Sequence, residues 1–101
     1  MEITGHTVEL LEDPFGLLQG SRYEFFLDIT VDEDDELYTE KGLLLKVIFV
    51  VDGGEGRILQ NYFIEEETEK VLDFDLEDEE VEAVKTYCMQ NFASDEDVES
   101  N

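Results

Sequence analysis

The run Asp32-Glu33-Asp34-Asp35-Glu36 carries the densest metal-binding chemistry in this chain. Asp32, Asp34 and Glu36 stand at the first, third and fifth positions of a calcium loop, where carboxylate oxygens would surround a hard cation. The remainder departs from that pattern. Leu37 takes the sixth position, where glycine makes the sharp turn, and Leu43 takes the twelfth, where a bidentate glutamate closes the shell. The expectation is no dedicated metal site and no cofactor, with weak, nonspecific divalent binding or a simple solvated loop in its place.

Nucleophilic chemistry has equally little to work with. His6 is the only histidine, and no serine or cysteine around it completes a catalytic motif. The single cysteine, Cys88, falls on the apolar face of a helical stretch with no cation placed to stabilise a thiolate. Gly53, Gly54 and Gly56 form neither GxGxxG nor a P-loop and read as a turn. Among 29 Asp and Glu, a pair suited to glycoside cleavage carries no information. There is no Trp for sugar stacking, and one sheet with one helix offers little depth for a cleft. The chain is therefore expected not to be an enzyme; a small hydrolase or divalent-metal-dependent protein is the third-placed alternative.

The charge points to partners. Against those 29 acids stand 6 Lys and Arg in 101 residues, a formal net charge of -23. The cations Arg22, Lys41, Lys46, Arg57, Lys70 and Lys85 are scattered, so no patch exists to neutralise phosphates, and neither nucleic acid nor an anionic membrane is expected to bind. Hydrophobic residues make up 42% and aromatic residues 11%, which is too much for a disordered chain. One cysteine in so small a chain suits a reducing cytoplasm. No secretory leader is visible at Met1 to Leu11, and Leu43 to Val51, broken by Lys46, is too short to span a bilayer. A monomer or weak dimer in the cytoplasm is the expectation.

The elements that must position these residues follow from hydrophobic period. Tyr23, Phe25, Leu27, Ile29 and Val31 alternate with Arg22, Glu24, Phe26, Asp28 and Thr30, which predicts a half-buried strand. Glu2 to Leu11 reads as a preceding strand bent at Gly5, with a Pro14 turn between the two. Leu43 to Val51 is apolar on both parities apart from Lys46, as in a central strand covered on two faces. Asp52 to Gly56 then turns the chain into Arg57 to Glu65, and Val71 to Leu76 reads as a short fifth strand. The period changes at Val81, Val84, Cys88 and Phe92, which share one face of a helix over about 77 to 92, with acids in its first turn. An α+β fold is predicted: an antiparallel sheet of about five strands with one C-terminal helix packed on one face. Residues 1 to 93 are read as one domain and 94 to 101 as a disordered acidic tail; strand order is left open.

Phe26 lies on the polar side of its strand, and Phe15, Leu17 and Leu18 cluster in a connection that needs no apolar residues. These four, with Asp32, Glu33, Asp34, Asp35 and Glu36, are the candidate partner-binding residues, an apolar patch with an acidic surround. The other reading is that the Phe15 to Leu18 segment covers the second face of the sheet itself. Asp13-Pro14-Phe15-Gly16, Arg22-Tyr23-Glu24-Phe25-Phe26-Leu27-Asp28, and Asp32 to Tyr38 followed by Lys41-Gly42-Leu43 resemble a family of small acidic uncharacterised proteins of Bacillus-type bacteria. Some members of that family carry a transferred pullulanase label. The resemblance covers Met1 to about Phe92 and implies no cofactor or catalytic residue. Two functional expectations lead: a non-enzymatic module binding a basic protein through the acids at 32 to 36 and 77 to 82, with mimicry of nucleic acid as its sharpest form, or a housekeeping domain whose charge serves only solubility or salt tolerance.

Overall fold

The computed structural model describes residues 1–12 and 20–92. Five strands, β1 (Glu2–Leu11), β2 (Ser21–Thr30), β3 (Leu43–Asp52), β4 (Glu55–Glu65) and β5 (Val71–Leu72), precede one helix, α1 (Asp78–Asn91). The sheet is an antiparallel meander in the order β1-β2-β3-β4-β5, so each strand pairs with its neighbour in sequence. The tail read at 94 to 101 lies outside the described residues, as do Phe15, Leu17 and Leu18.

One face of the sheet carries the core. Tyr23, Phe25, Leu27 and Ile29 of β2 stand beside Leu43, Leu45, Val47 and Phe49 of β3, with Phe63 of β4, and α1 closes over them with Val84 and Cys88. Period two on the strands and offsets of three and four on the helix bring these residues into one layer. The core side of β4 holds both Ile58 and Phe63, an odd offset that simple alternation forbids. A register shift resolves it: Gln60 pairs with Ile48 but Ile58 pairs with Phe49, leaving Leu59 as an extra residue, 47% exposed. A second shift between Ile3 and Gly5 supplies the bend read at Gly5.

Two expectations need correction. The fifth strand stops at Leu72 rather than Leu76, because the Phe74 N–H turns back to the Leu72 carbonyl (3.0 Å) instead of joining a ladder. Phe74, beyond the end of that strand, is 38% exposed between Asp73 and Asp75. β3 is not covered alike along both faces: on the second face Leu44, Lys46 and Ile48 are only half-buried and Val50 alone is buried, whereas on the first Leu45, Val47 and Phe49 are all shut off from solvent. The apolar run of β3 thus marks the centre of a sheet with one helix layer among the described elements.

Candidate protein-binding surface

Two acidic stretches forty residues apart meet at one end of the sheet. The β2–β3 connection is held by its own backbone and by Asp35: the Asp35 N–H donates to the Asp32 carbonyl (3.0 Å), the Tyr38 N–H to the Asp35 carbonyl (3.0 Å), and the Leu37 N–H to Asp35 Oδ1 (2.8 Å). An aspartate side chain bonding the backbone two residues on is ordinary turn chemistry. It leaves Asp32, Glu33, Asp34, Asp35 and Glu36 exposed. Leu37 packs against the core and anchors the loop. Opposite it, α1 begins at Glu77, whose N–H donates to Glu80 Oε1 (2.9 Å), with Asp78, Glu79 and Glu80 in the first turn where the helix dipole favours anions.

Between loop and helix lies a hollow of about 310 Å³ lined by Asp35, Glu36, Leu37, Phe74, Asp75, Glu77 and Glu80. Five carboxylates and no cation surround a floor of Leu37 and Phe74. Such a site suits an ammonium or guanidinium group carried on an apolar stem. Of the residues singled out in the sequence, the structure brings Asp35 and Glu36, with Glu77 and Glu80 of the second acidic run, to this hollow; Asp32, Glu33, Asp34 and Phe26 do not line it. Leu37 and Phe74 are not among the candidate partner-binding residues of the sequence. The available signal was that Phe74 stands between two aspartates, where a buried strand position is costly.

Phe26 belongs instead to the sheet face opposite α1. In register across that face run Thr7, Phe26, Lys46 and Tyr62. Lys46 Nζ lies 3.3 Å from Glu24 Oε2, 5.9 Å from the Phe26 ring centre and 5.5 Å from that of Tyr62. The Tyr62 hydroxyl, then the Glu24 carboxylate, hold the Lys46 ammonium above its ordinary pKa, so it is a permanent cation. Phe26, Leu44, Lys46, Tyr62, Ile64, Glu66, Glu69 and Val71 line a shallow groove of about 450 Å³ there.

His6, Tyr87 and Cys88 pack where β1 and α1 meet the core. Burial pushes the Cys88 thiol up to about 12, which removes the thiolate a nucleophile needs. His6 Nδ1 and the Tyr87 hydroxyl are hydrogen-bonded at 2.8 Å across the seam between β1 and α1. Burial, with the Asp28 charge behind it, raises the Tyr87 hydroxyl above its usual pKa. Among the described residues no three His, Cys, Asp or Glu side chains converge in a metal-holding group, and no helix is long and apolar enough to cross a membrane.

Glu65 is a clasp at the loop end of β4. Its two oxygens accept from Thr68 Oγ1 (2.6 Å) and Thr39 Oγ1 (2.9 Å), tying the β2–β3 connection to the β4–β5 turn. Those two hydroxyls, with Lys41 and Lys70 behind them, hold its carboxyl below the usual glutamate value. A depressed folded-state pKa contributes stability above the unfolded pKa and loses it as pH falls through the folded one. Thermal melts of Glu65→Gln should therefore fall below wild type at pH 7, with the gap narrowing once the pH drops under about 4. A gap independent of pH would show that the charge on Glu65 is idle.

A meandering five-stranded sheet under one helix, with an acidic hollow where loop meets helix, defines a small acidic α+β protein. Residues 1–95 match the model of a family of unknown function, DUF6509, and the chain belongs to that family. No curated protein and no solved structure matches it.

Proposed function

We propose that this protein is a non-enzymatic acidic interaction module that binds a basic partner protein. The observation that carries the proposal is the convergence of Asp35 and Glu36 with Asp75, Glu77 and Glu80 around exposed Phe74 and half-buried Leu37. Carboxylates grouped without a cation steer a basic surface and fix its orientation, and an aromatic floor adds contact area that salt does not screen. Glycoside cleavage is not proposed, since it needs two carboxylates facing each other across a cleft deep enough to enclose sugar rings.

The test is capture by immobilised protein at low salt followed by elution at high salt. A basic protein should be retained by wild type, released by salt, and lost by the double variant Asp35→Lys/Glu36→Lys. A second reading is favoured by the position of the acids in exposed turns and at the helix start: the charge maintains solubility alone. On that reading the double variant loses solubility near its altered isoelectric point, and wild type retains no basic protein. That result would end the binding proposal.

A further inference from the structure

We infer that the sheet face opposite α1 docks a second copy of this chain, the two sheets packing face to face with their strands running in opposite directions. Half-buried Phe26, Leu44, Ile48 and Tyr62, with 57% exposed Val71, make this face apolar. Among the described elements the one helix lies on the other side of the sheet. The charge of the face is an exception in this molecule. Four cross-strand rows make it up, from Leu11, Arg22, Val50 and Arg57 at one end to Gly5, Asp28, Leu44 and Ile64 at the other. They hold three acids, Glu9, Glu24 and Asp28, and three cations, Arg22, Lys46 and Arg57, in a chain of net charge -23. Lys46, near the centre, is answered by Glu24 at 3.3 Å and lies against Phe26 and Tyr62. Asp52 and Glu55 lie beyond one end, Glu66 and Glu69 beyond the other. A neutral apolar centre with a charged, solvated rim is the anatomy of a protein interface. It lets two copies of so acidic a chain meet without setting acid against acid at the centre.

The charges also select an orientation. Neither Arg22 nor Arg57 is ion-paired among the described residues, and Arg22 Nη1 is buried with no hydrogen-bond partner. Both arginines stand at one end of the face, with Asp28, Glu66 and Glu69 at the other. A two-fold axis lying in the contact plane and crossing the strands puts the arginine end of each copy over the acidic end of its partner, and makes that match twice. An axis along the strands would set arginine on arginine. The rows span about 24 Å by about 25 Å, so roughly 1,200 Å² in total would be buried, the lower limit of a specific interface. Cover from within the chain falls short. Residues 13–19 join β1 to β2 beyond the Arg22 end, and a backbone link of that length reaches out and back about 14 Å, whereas Phe26 stands about 20 Å along the strand from Gly20.

The test is sedimentation equilibrium of the full chain from about 1 to about 500 µM. Expected is a mass that rises with concentration from 11.7 kDa toward twice that value. The association should tighten at least about threefold between about 0.05 M and about 0.5 M salt, because screening relieves the repulsion of two chains of charge -23. Capture of a basic protein at the acidic hollow weakens with salt instead, and no residue of that hollow belongs to this face, so the two readings fail separately. Leu44→Lys should weaken the dimer at least about tenfold while the dilute monomer keeps its melt. Arg57→Glu should weaken it about tenfold, and adding Glu66→Arg to the same chain, which returns the net charge to -23, should recover it. Positions 57 and 66 are both exposed, so this pair reads association even where Leu44→Lys fails to fold. A mass of 11.7 kDa at every concentration, the result of a face covered by Phe15 to Leu18 or reserved for an unrelated protein, overturns the dimer. Association that a folded Leu44→Lys leaves unchanged, or that salt weakens, overturns it as well. No recovery in the double variant overturns the opposed arrangement of strands.

Discussion

Truncating Phe49 to alanine should cost this protein about 3–5 kcal/mol, the range for removing a buried aromatic ring when the surroundings only partly collapse. Phe49 has no solvent exposure and meets Phe25 edge-on, with ring centres 6.3 Å apart at 89°. Its other side is shaped by Gly56: a Cβ there would overlap the Phe49 ring and Met89 Sδ, so the glycine makes room for ring and helix together. A chain of this size has roughly 5–15 kcal/mol to lose, so the variant gives up about a fifth of its stability or more. Urea titration would show the midpoint falling by roughly 1–5 M at unchanged slope. The pair also predicts non-additivity. Gly56→Ala should destabilise wild type by overpacking and cost less in the Phe49→Ala background, where the ring is gone and only the flexible Met89 side chain must still give way. Additive costs would mean that Gly56 is required for a reason other than this close approach.

The same residues show what sequence can and cannot carry. Alternation along β2 and the helical offsets of Val81, Val84, Cys88 and Phe92 are local properties, and they specify faces without knowledge of the partner strand; Cys88 is buried where that offset places it. The bulge at Leu59 is not local. Ile58 and Phe63 can share a face only because β3 selects that register, so the mixed apolar pattern of Arg57 to Glu65 is unreadable until pairing is known. For the site, the acids at 32 to 36 and 77 to 82 were visible as separate runs. Their meeting depends on the meander order, on Leu37 anchoring the loop and on Phe74 leaving the ladder after Leu72. The sheet face opposite α1 was legible only as an odd Phe26, since the row Phe26, Lys46, Tyr62 spans three strands.

The convergence of acids makes stability depend on salt, and in the hollow more than elsewhere. Debye screening reaches about 8 Å at physiological ionic strength and about 30 Å at 0.01 M, so at low salt the carboxylates of the 32 to 36 loop interact with those of the helix start and with the acidic β4–β5 turn across much of the sheet end. Unfolding separates them, and the folded state alone bears the repulsion. A difference of about 1 kcal/mol corresponds to roughly 4–8 °C for a domain of this length, so the melting temperature should rise by at least about 5 °C between 0.01 M and 0.15 M salt. Position then discriminates the source. Asp35→Asn/Glu36→Gln removes two charges from the hollow and should raise the low-salt melt and flatten its salt dependence. Glu55→Gln lies in the β3–β4 turn at the far end of the sheet, where Arg57 shares its hollow, and should change neither appreciably. If the three proteins follow one curve, the charge acts as a uniform cloud and the hollow holds no stored repulsion for a basic partner to relieve. A steeper curve for wild type means that folding assembles an electrostatic cost at the surface where binding a cation would recover it.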